Sequence, residues 1–430
     1  MPGHRLPTQR ALAQQLGVTP GTVNRGYAIA ERAGLVLAEV GRGTFVFGPR
    51  GTDIHDAGVA REASAAIELG LNYPAGSEAE AALGGALAQL GHGQPGRQLL
   101  GLSPYAGRAE HRIAGARWLE RVGLSVTGAD VVLCTGVQHG LAAALAALTA
   151  PGDVVLTETL TSPGVKAVAA AQHLKLVGVA GDDEGLLPDA LASACRATGS
   201  RVLYTMPTLH SPTTTTMPDR RRRSIADVVN AQGLIALEDD AWGFLAEGKV
   251  TPLRQFAPDR VVYLTSVAKS LAPGLRVGYA VAPASFQHAL TSSIGAMTWA
   301  APLMAEIVAR WIGDGTAASI AAQRRRNATE RQRLAESILG AGPVRSALPT
   351  FHLWLPIPEP WRAGGLVAHA AAMGVALAPP EFFTPDHAPP PHAIRVCTGT
   401  EADISRVEHG LRILAQMLRS GPLGYSNPGA

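Results

Sequence analysis

Six short apolar runs recur between residues 131 and 266: VVLC (131–134), DVVLTE (153–158), LKLVGV (174–179), RVLYTM (201–206), LIALEDD (234–240) and RVVYLTS (260–266). Helical stretches lie between several of them. Strands that alternate with helices predict an α/β fold built on a largely parallel sheet. From about Ala300 a long helical stretch opens what reads as a smaller α+β domain. A chain of 430 residues has room for two or three domains. With 47% hydrophobic and 17% charged residues, the composition excludes a disordered chain. No run of about 18 apolar residues is present, so a membrane-spanning helix is not expected. The first residues, MPGHRLPTQR, lack the apolar stretch of a signal peptide, and a cytoplasmic protein is expected. Cys134, Cys195 and Cys397 are far apart and form no CxxC pair, so neither a disulfide framework nor a metal site is expected.

The N-terminus has a different pattern. Thr8 caps a helix over residues 8–16, with Leu12, Ala13 and Leu16 on one face and Gly17 ending it. Thr19 and Pro20 open a second helix that Gly34 stops. Two strand-like runs then flank Gly41-Arg42-Gly43. Helix, turn, helix and hairpin make a winged helix, whose second helix enters the major groove. Charge agrees. Residues 1–50 hold six Arg and two Glu, net +4, against +3 for the whole chain. A basic module on a near-neutral body suggests nucleic-acid binding; on charge alone, a basic patch of no consequence is the alternative. Residues 48–66 read as a linker, which as a flexible coil spans roughly 25 Å.

Lysine is scarce. Of 37 basic residues only Lys166, Lys175, Lys249 and Lys269 are lysines. A retained Lys invites a role that Arg cannot fill, and Arg forms no imine. Lys269 follows a strand end in TSVAKSLAPGLRVGY (265–279), where open α/β sheets bind ligands. There Ser266 and Arg276 can hold a phosphate while Lys269 forms an imine with an aldehyde. The same Ser-x-x-Lys occurs in serine hydrolases, but no Ser-Asp-Asn or Lys-Thr-Gly follows. An ordinary surface lysine is the plainer alternative. About 30 residues upstream, Asp239 ends an apolar strand and suits a protonated pyridine nitrogen. Gly136-Val137-Gln138 forms a strand-to-helix turn whose N–H groups suit a phosphate. Arg395, alone on the apolar strand HAIRVCTGT, needs a carboxylate partner.

With these residues in place, the chain from 70 to 415 resembles a fold-type I pyridoxal-phosphate (PLP) aminotransferase. The first 50 residues resemble a GntR-type winged helix. The fusion resembles the MocR-type regulators. The resemblance implies a winged helix over residues 1–47, apparently lacking its usual first helix, and a linker over 48–67. A large PLP-binding domain follows over 68–300, with a small C-terminal α+β domain over 301–420. It implies that Lys269 is the Schiff-base lysine and that Asp239 pairs with the pyridine nitrogen. Ser266, Arg276 and the Gly136-Val137-Gln138 turn hold the phosphate, Ser211 and Trp242 stand beside the cofactor, and Arg395 takes a substrate carboxylate. Arg10, Thr19, Thr22, Asn24, Arg25, Gly41 and Arg42 match positions that touch DNA.

The chain departs from the family's pattern at several places. Ser211-Pro212-Thr213 replaces Asn-Pro-Thr, and Trp242 replaces a Tyr. Ser162 replaces an aromatic residue before Pro163-Gly164, and only Tyr105 stands near the place of a Tyr that reaches the neighbour's phosphate. Pro20-Gly21 stands where a polar or basic pair is common. The expected function is a homodimeric, PLP-binding transcription regulator that reads operator DNA and senses a small amino compound. The alternative is an active aminotransferase with a vestigial winged helix. Slow or absent transamination is expected. Because the winged helix starts near its second usual helix, upstream codons for an amphipathic helix are expected too.

Overall fold

A computed structural model describes residues 6–32, 36–39, 43–46, 66–76, 78–92, 99–246, 248, 250–340, 348–385 and 391–421. The N-terminal helices span Gln9–Leu16 and Pro20–Arg32. Thr8 accepts the Ala11 N–H at 3.2 Å, and Gly17 closes the first helix in the left-handed region. Thr19 likewise accepts the Thr22 N–H. Strands β1 (Val36–Glu39) and β2 (Gly43–Val46) form the antiparallel hairpin. The tip, with Gly41 and Arg42, lies outside the described residues, as do Gly34 and linker residues 48–65.

The body holds a seven-stranded sheet. The six expected runs become β4 (Val131–Cys134), β5 (Val154–Glu158), β6 (Lys175–Val179), β9 (Val202–Thr205), β10 (Ile235–Asp239) and β11 (Val261–Ser266). A small hairpin, β7 (Gly181–Asp182) and β8 (Gly185–Leu186), lies outside the sheet. The seventh strand, β12 (Gly278–Val281), makes the order β4-β12-β11-β10-β9-β5-β6. It runs antiparallel to both neighbours. Only residues 267–277 join β11 to β12, fewer than the dozen or more that a parallel crossover needs, so the chain must turn back.

That turn positions the site. Gly278 pairs with Ser266 on one side and Cys134 on the other, bringing the ends of β11 and β4 together. A methyl group on Gly278 would lie 2.8 Å from Gly136 Cα and 2.9 Å from the Thr265 oxygen. Backbone crowds it from both neighbouring strands, so only glycine fits.

Two cores divide the body. The larger packs both faces of the sheet, with the helix Pro302–Gly313 and the first half of the helix Thr316–Leu339 included through Ile307, Val308, Trp311 and Ala328. The smaller gathers Ala335, the antiparallel pair β13 (His352–Pro356) and β15 (Ala393–Cys397), and the helix Ile404–Ser420. The cores therefore part inside the long helix, between Ala328 and Ala335, rather than at residue 300. The first body strand, β3 (Ile67–Glu68), starts one residue inside the expected linker. It pairs with β14 (Val375–Ala376), and Ile67 and Leu69 bury into the smaller core. The segment next to the linker thus belongs with the C-terminal elements, because their apolar surface covers it. Among the described residues, no helix is long and apolar enough to cross a membrane.

Gly278→Ala is expected to destabilise the body by about 1–3 kcal/mol through overpacking against backbone. A thermal melt checks this; an unchanged midpoint would contradict the crowding.

Candidate active site

The carboxyl ends of β4, β10 and β11 converge where open α/β sheets bind ligands. Ser266 ends β11 and caps the short helix Val267–Ser270, which carries Lys269. Arg276 sits at φ 49°, in the left-handed region, which a non-glycine residue adopts only under local constraint. Its guanidinium lies against Gly136, where a methyl group would be 3.2 Å from Nη2. Gly136, at φ 121°, opens the helix Val137–Leu148. Arg276, Ser266 and that helix start surround one anion-favouring corner. Gln138, the next residue but one, packs on Gly164.

The Glu238-Asp239-Asp240 run divides by strand alternation. Glu238 accepts the N–H groups of Leu253 (2.8 Å) and Arg254 (2.9 Å) and faces Arg222 at 3.6 Å. Burial pushes its carboxyl up to about 7. Asp240 takes the Tyr263 hydroxyl. Asp239 points the other way. One of its oxygens accepts the Tyr204 hydroxyl at 2.7 Å, while Oδ1 is buried with no partner. Burial raises its carboxyl to about 6, and the Tyr204 bond works against that rise.

Lys269 donates to the Asn72 carbonyl, and its Nζ lies 3.1 Å from the centre of the Tyr73 ring and 5.4 Å from that of Trp242. Burial first, then the nearby Arg395 charge, lowers its ammonium to about 7. A buried amine that loses its proton near neutrality is a nucleophile for carbonyl carbon. Arg395 is buried, with Nη1 on Ser211 Oγ (3.0 Å), Nη2 on the Gly70 carbonyl (2.8 Å) and the Phe383 ring 4.7 Å away. These bonded partners are neutral, and Nε has none. The Ser211 hydroxyl therefore engages the arginine. Behind them lies neutral His352, held well below its usual pKa, at about 3, by burial and the Arg395 charge.

The residues present fit PLP. The unpartnered Asp239 Oδ1 suits a pyridinium nitrogen, Lys269 suits the aldehyde, and the Ser266–Arg276–Gly136 corner suits the phosphate. Tyr204, Asn72 and Tyr73 do not stand out in the sequence. Tyr204 lies inside an apolar run that reads as core, and Asn72 acts through its backbone. Ser162, at the place of the missing aromatic residue, caps the helix Pro163–Ala171 and reaches the Tyr204 phenol. Tyr105 is half exposed and packs on Gly295, with Trp299 6.0 Å away. Among the described residues no group of three or more His, Cys, Asp or Glu could hold a metal.

In the N-terminal unit Arg10, Thr19, Thr22, Asn24 and Arg25 are all exposed. Thr19 and Thr22 hydroxyls lie 3.0 Å apart, and Asn24 accepts from Gln9 at 3.0 Å. Val23 is buried and Leu16 exposed.

In cofactor-free protein, Lys269 should form a borohydride-reducible adduct with an aldehyde whose rate rises through about pH 7, as the neutral amine appears. Peptide mapping checks this; a rate that rises only near pH 10.4, the ordinary lysine value, would contradict the lowered pKa.

Comparison with known proteins agrees with this geometry. Residues 67–411 match the family "Aminotransferase class I and II", and residues 1–46 match "Bacterial regulatory proteins, gntR family". The HTH-type transcriptional regulator YdeF of Bacillus subtilis (strain 168), itself uncharacterized, is 27% identical over 421 residues, covering 97% of this chain and 90% of its own. The HTH-type transcriptional regulator TauR of Rhodobacter capsulatus is 28% identical over 320 residues, covering 67% and 65%. Among solved structures, the α-aminoadipate aminotransferase LysN of Thermus thermophilus superimposes with a TM-score of 0.74 at 25% identity, covering 84% of this chain and 94% of that one. The chain belongs to the class I and II aminotransferase family, in the MocR-type group that joins a gntR-family winged helix to that fold.

Proposed function

We propose that this chain is a PLP-dependent transcription regulator in which Lys269 holds the cofactor and an amino compound is the signal. One observation carries the assignment of the site: Asp239 Oδ1, buried and unpartnered, near the neutral-prone amine of Lys269. PLP, when bound, supplies an aldehyde that exchanges between amines. The chain's own residues do the rest. Lys269 gives up its proton near neutrality and attacks or is displaced. Asp239 holds charge opposite the ring nitrogen, Trp242 walls the site, and the Gly136-Val137-Gln138 turn, Ser266 and Arg276 hold the phosphate. Arg395, bonded only to neutral groups, is left to draw in a ligand carboxylate. An amino acid is therefore the effector class that this site suits.

The winged helix presents Arg10, Thr19, Thr22, Asn24 and Arg25 to operator DNA, in the cytoplasm where that DNA lies. Two copies act together. Leu100 (86% exposed), Leu102 (89%), Tyr105 and Trp299 form an apolar surface that suits a partner subunit. The second reading, a working aminotransferase, draws on the complete set of cofactor anchors. Ser162 and Ser211 count against it. Ser162 offers no ring to stack on, and the Ser211 hydroxyl is engaged by Arg395.

DNA affinity should fall steeply with salt as phosphate contacts release counterions. Arg25→Ala should cost about 1–3 kcal/mol if it reads a base. Fluorescence anisotropy with a selected operator checks both; a truncated protein lacking residues 1–50 that still binds tightly and specifically would contradict the reading.

A further inference from the structure

Tyr204 lies on β9, fully buried, in register with Leu237 of β10. Leu237 and Asp239 share one face of β10, so the phenol reaches one pleat forward to the carboxylate. Its hydroxyl donates to Asp239 Oδ2 at 2.7 Å, and the other carboxylate oxygen is the unpartnered one. Ser162, at the start of the next helix after β5, reaches the same phenol. We infer that Tyr204 is the positioning residue that fixes one oxygen of Asp239, with Ser162 behind it, so that the other oxygen is presented to the cofactor's ring nitrogen. This deepens the PLP reading and rests on it.

The chemistry of the pair is one-directional. Burial and the Asp239 charge hold the Tyr204 phenol well above its usual pKa, so it donates throughout the working range. The groups that act on the pair are Asp240, Lys269, the Ala241 N–H and, from the Tyr204 side, Glu158. Asp240 pushes the Asp239 carboxyl up, while Lys269 and the Tyr204 bond pull it down. Without the phenol, the carboxyl rises above about 6 and protonates closer to neutrality. A protonated Asp239 offers no counter-charge to the nitrogen. Binding that depends on the nitrogen is therefore present above the carboxyl's pKa and lost as pH falls through it.

The test compares pyridoxine 5'-phosphate with its 1-deaza analogue, in which ring carbon replaces the nitrogen. Neither needs Lys269 chemistry, and affinity is read by calorimetry on the full chain. In the unaltered protein the nitrogen ring should be preferred, and the preference should fade as pH drops through about 6. Tyr204→Phe should cut that preference about 10- to 100-fold, the range for one hydrogen bond to a charged group, and move the fade to higher pH. In an Asp239→Ala background the same change should do nothing further. 3-Fluorotyrosine placed at position 204 keeps the shape and strengthens the donor, so it should move the fade to lower pH. That arm holds even if Tyr204→Phe fails to fold. An unchanged preference, or equal weakening of both analogues, would overturn the positioning role. No preference in the unaltered protein would instead sink the PLP assignment of Asp239.

Discussion

A carboxylate oxygen buried without a partner works against folding, and Asp239 Oδ1 is such an atom. Its neighbours are arranged around that imbalance. Tyr204 holds the other oxygen, Lys269 stands close enough to lower the carboxyl's pKa, and two flanking acids turn away to structural partners. Arg395 is unbalanced in the opposite sense, a buried guanidinium whose bonded partners are neutral and whose Nε has none. Between them sits an amine lowered to about 7. A cationic ring and an anionic amino acid would satisfy both imbalances at once. That is how a fold of this kind stores affinity for its ligands: charges are kept apart by the scaffold until the right group arrives.

The segment 66–76 ties this chemistry to the rest of the chain. It follows the linker directly. Its strand joins β14, the Leu69 carbonyl accepts Cys397 N–H at 2.7 Å, Gly70 accepts from Arg395, and Asn72 accepts from Lys269. Arg324 then clamps the Pro74 and Ala75 carbonyls at 2.7 and 3.0 Å, and the Leu271 carbonyl beyond Lys269 at 2.6 Å. The residues that meet the ligand and the residues next to the linker are therefore consecutive. A change at Lys269 alters contacts of the very strand on which the linker is anchored, a short physical path between site and DNA-binding unit.

Much of this is legible in the sequence, for identifiable reasons. Apolar runs betray strands that are buried on both faces, so all six sheet candidates appear in the structure. Lysine scarcity singles out Lys269. The strand β12 is hidden because Gly278 and its neighbours are short and follow a Pro-Gly turn; only the brevity of the connection marks it as antiparallel. The boundary near residue 300 fails because a long helix can serve two cores, and the change from Ala328 to Ala335 leaves no break in periodicity. Tyr204 is invisible because an apolar run hides a functional hydroxyl. Ser211 reads as a cofactor contact, whereas its hydroxyl engages Arg395 across 184 positions of sequence; such pairings depend on tertiary structure alone.

The central claim is linkage between the amine site and DNA. The direct measurement is operator affinity with and without a saturating amino acid, chosen from a panel by its shift of the cofactor's visible spectrum, in the unaltered protein and in Lys269→Ala. The account predicts that the amino acid changes operator affinity by about 5- to 150-fold, that operator DNA changes the protein's affinity for the amino acid by the same factor, and that both effects vanish in Lys269→Ala. An operator affinity indifferent to the amino acid, or an equal response in Lys269→Ala, would contradict it.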